Sequence, residues 1–114
     1  MHVLTFLTRR IDGMTADEFA ARYRAHRDLA LQMPGLVSYR QNLLCHESAA
    51  WEDATDRFPD YDALSIYSFE SAAAAQAAYA SPVGAALDAD TKTFMDWDSI
   101  ISIESTALDG SNSL

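Results

Sequence analysis

The fold of this chain is decided by the stretch Thr15–Tyr39, TADEFAARYRAHRDLALQMPGLVSY, which predicts one capped helix, a sharp stop and the start of a strand. Thr15 and Glu18 have the spacing of a capping box, so we expect the helix to begin there. The proline–glycine pair that follows Met33 blocks further helix, so we expect the helix to end at that residue.

An apolar stripe runs along one face of this predicted helix and contains a histidine. At about 100° per residue its members fall within an arc of roughly 80°. They are Phe19, Tyr23, His26, Ala30 and Met33. Burial disfavours the charged form of an imidazole and lowers its pKa. His26 is therefore either a proton-transferring residue beside a cavity or a core histidine with one good hydrogen bond, and the sequence leaves both readings open.

The remaining patterns complete the order β-α-β-β-α-β, an α+β, ferredoxin-like fold with an antiparallel sheet. Strands are predicted at Val3–Thr8, Leu36–His46, Tyr61–Phe69 and Trp97–Ser105, and further helices at Ser71–Tyr79 and from Ser81 to about Met95. The long connection Glu47–Asp60 is expected to be functional or to form an interface. Residues 1–107 are predicted to form one domain, and residues 108–114 a disordered tail.

The predicted strands carry apolar residues on both faces, which indicates a partner. In the first strand, Val3 and Leu7 alternate with Leu4 and Phe6. The predicted helices can cover only one face of a four-stranded sheet. A bare apolar face is not stable in water, so the pattern predicts a homodimer that packs sheet against sheet.

Composition and charge exclude several classes of protein. The 114 residues carry a formal net charge of -9, which disfavours binding to nucleic acid or to an anionic membrane surface. No apolar run approaches the ~20 residues that span a bilayer. Cys45 is the only cysteine, so no internal disulfide can form. We expect a cytoplasmic protein with no nucleic-acid or membrane partner.

Two segments resemble the EthD family. The first, DGMTADEFAARYRAHRDLALQMPGLVSY (residues 12–39), has that family's Thr-x-x-Glu-Phe helix start, an aromatic-x-x-His step and Pro-Gly-Leu before a strand with a tyrosine. The second, DYDALSIYSFESAAAAQAAYASP (residues 60–82), is similar to its second signature. The resemblance implies a dimeric α+β barrel, and it matches His26 to the family's recurring histidine. Ile66 and Ser68 stand where relatives often carry Glu and Trp, so no role is transferred to those two positions.

The candidate catalytic residues are His26 and Tyr39, and the candidate substrate-binding residues are Tyr23, Arg40, His46, Trp51, Tyr67 and Trp97. Imidazole suits proton transfer near neutral pH, and phenols can stabilise a developing enolate. For each tyrosine alone, a core position with its hydroxyl at the edge is the more common case. Arg40 either grips a substrate carboxylate or forms an ion pair across the dimer interface. The tryptophans either wall an aromatic-substrate cavity or belong to a lid, an interface or the core.

Histidine spacings of the kind that bind metals are missing from the sequence, and so is a glycine-rich phosphate loop. We therefore expect no metal and no cofactor. Together with the resemblance, this favours a cofactor-independent isomerase, cyclase or dehydratase that acts on a small oxygenated ring compound, such as a lactone, cyclic enone or aromatic polyketide. The alternatives are a cofactorless monooxygenase on a phenol or anthrone and a non-catalytic dimeric binding or accessory protein.

Overall fold

The computed structural model describes residues 1–45 and 61–108. The strands are β1 (His2–Thr8), β2 (Leu36–Leu43), β3 (Ala63–Phe69) and β4 (Ile101–Thr106), and the helices are α1 (Ala16–Ala30), α2 (Ala72–Ala80) and α3 (Pro82–Thr91). The strands form one antiparallel sheet in the order β2-β3-β1-β4. This is the predicted α+β, ferredoxin-like arrangement, and the fold class is confirmed.

Helix α1 begins as its sequence predicts. The Thr15 side chain accepts a hydrogen bond from the Glu18 amide, and the Glu18 carboxylate accepts one from the Thr15 amide. The regular helix ends at Ala30, before the predicted Met33, and a short turn leads to Gly35, whose φ of +75° suits glycine. The predicted stripe is buried, and it faces the sheet and α3.

The segment after α3 differs from the prediction. Helix α3 ends at Thr91, and Trp97–Ser99 forms a single 3₁₀ turn before β4 instead of opening the strand. Met95 makes a bridge to Arg10, and the Asp96 amide donates to the Arg9 carbonyl. These contacts tie the segment to the end of β1, so the chain must turn before it can pair along that strand.

Strand β2 is shorter than predicted, since it ends at Leu43. His46, the predicted last residue of the strand, lies outside the described residues, as do the whole connection Glu47–Asp60 with Trp51 and residues 109–114.

Side chains alternate between two faces of the sheet. The covered face packs against the helices and carries Leu4, Phe6, Thr8, Tyr39, Gln41, Ser65, Tyr67, Phe69 and Ser102. The open face carries Val3, Thr5, Leu7, Arg40, Leu64, Ile66, Ile101 and Ile103. Ile101 and Ile103 remain 41% and 49% exposed, although they are large and apolar. Within residues 1–45 and 61–108, no helix is both long and apolar enough to cross a membrane.

Candidate active site

A cavity of about 310 Å³ lies between the covered face and helices α1 and α3. Its volume is at the lower end of the range for small-molecule sites. The lining is mostly apolar with a few polar groups, and consists of Phe6, Thr8, His26, Ser65, Tyr67, Tyr79, Leu87, Asp88, Thr91, Met95, Trp97, Ile100 and Ser102. The strands supply one wall and the helices the other, so side chains remote in sequence meet here.

His26 lies deep in the wall that α1 contributes. Its side chain is 3% exposed, and its ring contacts the Phe94 ring at a centroid distance of 5.1 Å. Nδ1 of His26 lies 2.6 Å from Oδ2 of Asp90 on α3. Burial lowers the pKa of His26, and the hydrogen bond and negative charge of Asp90 only partly oppose this. At neutral pH the ring is therefore neutral, with Nδ1–H donating to the carboxylate.

The other ring nitrogen faces the cavity. Asp90, beside Nδ1, does not line the cavity, whereas Thr91, beside Nε2, does. Nε2 of His26 is 3.5 Å from Oγ1 of Thr91, at the outer limit for a hydrogen bond. The Thr91 hydroxyl donates to the Leu87 carbonyl at 2.8 Å, so its hydrogen is directed away from Nε2. In this tautomer the Nε2 lone pair is available to accept a proton.

Asp90 is fixed from a second direction by Arg22. Nη2 of Arg22 donates to Oδ1 of Asp90 at 3.0 Å and to Oγ1 of Thr93 at 2.7 Å. Partial burial alone would raise the pKa of Asp90, but the hydrogen bonds from His26 and Arg22 outweigh it and hold that pKa below its usual value. Asp90 therefore remains a carboxylate that orients the imidazole.

Two phenols line the cavity with His26. Burial, followed by the influence of Tyr39, raises the pKa of Tyr67. Burial, followed by the charge of Asp88, raises the pKa of Tyr79. Both hydroxyls therefore remain protonated and can donate to an oxygen atom in the cavity.

Behind Tyr67 lies a polar layer that does not line the cavity. The Tyr39 ring packs on the Tyr67 ring at a centroid distance of 4.7 Å, and Nε2 of Gln41 donates to the Tyr39 hydroxyl at 2.9 Å. Burial raises the pKa of Tyr39 as well. Tyr23 occupies the next turn of α1 before His26, and its hydroxyl is 2.6 Å from Oγ of Ser65.

The structure brings together only some of the residues that the sequence singled out. His26, Tyr67 and Trp97 line one cavity, with Trp97 at its mouth and 42% exposed. Tyr39, the other predicted catalytic residue, is not among the residues that line this cavity, and its ring packs on that of Tyr67. Arg40 lies on the open face and is not in the cavity.

Of the other predicted site residues, Tyr23 is one layer removed from the cavity, where it holds Ser65. His46 and Trp51 lie outside the described residues.

The residues that sequence reasoning missed are Asp90, Thr91, Tyr79 and Thr8. Asp90 and His26 are 64 positions apart, and no local pattern connects them. Leu87 and Thr91 lie on one helical face at a spacing of four residues, a signal that would have placed Thr91 on the buried side of α3. The described residues contain no group of three His, Cys, Asp or Glu side chains that could hold a metal ion.

Solved structures share this fold at low sequence identity. The ethyl tert-butyl ether D (EthD) family protein of Bacillus halodurans superposes with a TM-score of 0.72 at 16% identity, over 95% of this chain and 100% of that chain. A dimeric ferredoxin-like protein of unknown function from Thermobifida fusca gives 0.69 at 16% identity, over 93% and 90%. An antibiotic biosynthesis monooxygenase gives 0.63 at 13% identity, over 96% and 100%. At such identities the likeness shows the fold alone.

No curated protein matches this chain. The EthD domain model, by contrast, matches residues 11–98, a range that contains His26, Asp90 and all three helices. His26 therefore lies inside the matched region and on the wall of the cavity. On the extent of this match, the chain belongs to the EthD domain family.

Proposed function

We propose that the protein is a cofactor-independent enzyme that moves a proton on a small oxygenated ring compound, as an isomerase, cyclase or dehydratase. The observation that carries this proposal is the Asp90–His26 pair, in which a buried neutral imidazole has one nitrogen fixed by a carboxylate and the other directed to the cavity. A structural histidine needs only the first of these contacts.

The contacts of the Asp90–His26 pair support the following proton transfer. Nε2 of His26 takes a proton from a carbon atom next to a carbonyl group, and the ring becomes an imidazolium. Asp90 stabilises this cation through the Nδ1 hydrogen bond, and a phenol, Tyr67 or Tyr79, donates a hydrogen bond to the enolate oxygen. The imidazolium then returns the proton to another carbon or to a departing oxygen, which gives isomerisation or elimination.

The cavity also supports the enzyme reading over simple binding. A binding module would be expected to have His26 buried and satisfied at both nitrogens. Here Nδ1 has a short hydrogen bond to Asp90, whereas Nε2 has only the 3.5 Å contact with Thr91, and the polar side chains of Thr8, Ser65, Tyr67 and Tyr79 line the same space.

We further propose that the working unit is a homodimer formed through the open face. The Thermobifida fusca protein is a dimeric ferredoxin-like protein, and apolar side chains that include Ile101 and Ile103 lie exposed on this face. Burial of such a face against a second copy removes a large apolar area from water.

Hydrogen–deuterium exchange into 2-tetralone, followed by NMR in D₂O, tests the proton transfer without knowledge of the natural substrate. The wild-type protein should accelerate exchange next to the carbonyl. His26→Gln should slow it by a factor on the order of 10²–10⁴, because an amide cannot take up and return a proton. His2→Gln is the matched control, since His2 pairs with Glu104 away from the cavity and should leave the rate unchanged.

The outcome of this experiment separates the alternatives. Equal exchange rates for the wild type and folded His26→Gln would contradict the proposal. Oxygen uptake with an anthrone that His26→Gln abolishes would indicate the cofactorless monooxygenase reading, in keeping with the name of one structural neighbour. Saturable binding without either reaction would indicate a binding module.

A further inference from the structure

We propose that the cavity selects an uncharged, hydroxyl- or keto-bearing ring compound, that Thr8 anchors its oxygen by a hydrogen bond, and that Asp88 excludes carboxylates. This inference rests on the proposed function only for the identity of the site, because it concerns binding and not the chemical step.

The first observation is the buried hydroxyl group of Thr8. Thr8 is 2% exposed and lines the cavity, and its Oγ1 has no hydrogen-bond partner in the part of the chain that the structure describes. A buried hydroxyl without a partner costs free energy, and native proteins rarely tolerate one. Thr8 ends β1 on the covered face, and the residue opposite it on β3 is Ala63, whose side chain has no polar atom. A ligand oxygen in the cavity would supply it.

The charge of the cavity is the second observation. Among the described residues no lysine or arginine lines it, and the one carboxylate in that lining is Asp88. Arg22 donates hydrogen bonds to Asp90 and Thr93, and the Lys92 ammonium lies over the Trp97 ring; neither cation is among the described residues that line the cavity. A ligand carboxylate would therefore enter an apolar space with no counter-charge, which is costly.

Asp88 adds repulsion on the wall of the cavity itself. It lies between the cavity and a shallower hollow of about 350 Å³ that shares Phe6, Tyr79 and Ser102 with it and adds Glu104. Burial raises the pKa of Asp88, with Lys92 partly opposing the shift, so the charge of Asp88 is poorly solvated there. A second negative charge at this point would be repelled more strongly than on an open surface.

Three probes with the same ring system separate these effects: naphthalene, 2-naphthol and 2-naphthoate. Their equilibrium binding is measured by titration calorimetry near pH 7. The wild type should bind 2-naphthol at least roughly tenfold more tightly than 2-naphthoate. Equal affinities for these two probes, or no saturable binding of 2-naphthol, would overturn the proposal.

Asp88→Asn should raise the affinity for 2-naphthoate severalfold and leave that for 2-naphthol nearly unchanged. Asp28→Asn, on the exposed side of α1, removes the same charge away from the cavity and should change neither affinity. If Asp88→Asn rejects 2-naphthoate as strongly as the wild type does, Asp88 is not the excluding group and that part of the proposal fails.

Thr8→Val should weaken 2-naphthol binding roughly three- to tenfold and leave naphthalene binding unchanged. It should not lower the melting temperature of the free protein, because the removed hydroxyl has no partner there. A lower melting temperature with unaltered binding of 2-naphthol would show a structural role and overturn the anchor.

His26→Gln distinguishes this inference from the proposed function. If His26 does not transfer a proton but the cavity does exclude carboxylates, His26→Gln leaves both the exchange rate and the order of probe affinities unaltered. If the cavity does not exclude carboxylates, the wild type binds 2-naphthoate well whatever the exchange rate.

Discussion

The two faces of the sheet are built from the same four strands, yet they differ in the side chains that they present. The covered face presents polar groups to the cavity, among them Thr8, Ser65 and Tyr67. The open face presents apolar side chains such as Ile101 and Ile103 to the outside. Because successive residues alternate between the faces, each strand serves both. One face is therefore suited to bind a small molecule and the other a second copy of the chain.

The largest expected effect comes from a charge at the centre of the open face. Thr5 lies between Ile66 on β3 and Ile103 on β4. Thr5→Asp changes the shape little but buries an unpaired charge at the proposed interface, so the dimer should dissociate to monomers at micromolar concentration. Light scattering with size-exclusion chromatography measures this, and the isosteric Thr5→Val should remain a dimer. A Thr5→Asp protein that is still dimeric would contradict the assignment of the interface.

On the covered face, the largest effect short of removing His26 should come from Asp90→Asn. The asparagine keeps the shape but not the charge that stabilises the imidazolium, so exchange into 2-tetralone should slow by roughly 10- to 100-fold. The pKa of His26 should also fall further, which would shift the pH–rate profile to lower pH. Asp98→Asn, outside the cavity lining, serves as the control. An unshifted profile would show that Asp90 does not act through His26.

A pH effect on stability should be traceable to His26. Burial lowers its pKa in the folded state, so between that lowered value and the unfolded value the unfolded chain binds more protons. His26 therefore makes its full contribution to the free energy of unfolding above its pKa in the unfolded chain, about 6.5. This contribution is lost as pH falls towards the pKa of His26 in the folded protein. The wild type should lose more stability than His26→Gln between about pH 7.5 and about pH 5, as measured by urea unfolding. Identical losses would mean that His26 titrates as an exposed imidazole.

The smallest expected effect concerns the layer behind the cavity. Tyr23→Phe removes the hydroxyl that bonds Ser65 and should lower the free energy of unfolding by about 1 kcal/mol. Exchange into 2-tetralone should change little, because Tyr23 does not line the cavity. A large loss of rate with unchanged stability would place Tyr23 in direct contact with the ligand.

The sequence predicted those parts of the fold that depend on local patterns. The capping box at Thr15, the buried stripe of α1 and the order of strands and helices along the chain all follow from the spacing of residues close in the chain, and all are present. The turn at Trp97 was not predictable in this way, because it depends on the tie between Met95 and Arg10 across the end of β1.

The difference between local patterns and distant contacts also explains which residues of the candidate site were predicted. His26 could be singled out because its own helix shows the apolar stripe. Its partner Asp90 could not, because a pair between two helices leaves no local signal and many acids were available in this acidic chain. Tyr39 was chosen for its position after a strand start, and alternation alone left open which face of the sheet it occupies; the structure places it on the covered face. Which tyrosine of that face reaches the cavity depends on the packing of α2 and α3.

One residue joins those two helices. Ser81 ends α2 and caps α3, since its Oγ donates to the Ala78 carbonyl at 2.6 Å and accepts from the Gly84 amide at 3.1 Å. Tyr79 and Asp88, on either side of this joint, line the same cavity. Because only one residue connects α2 and α3, and it is hydrogen-bonded to both, the two helices cannot move apart to admit a ligand. A ligand must instead enter from the other rim, where Trp97 begins the 3₁₀ turn before β4 and Ile100 follows that turn.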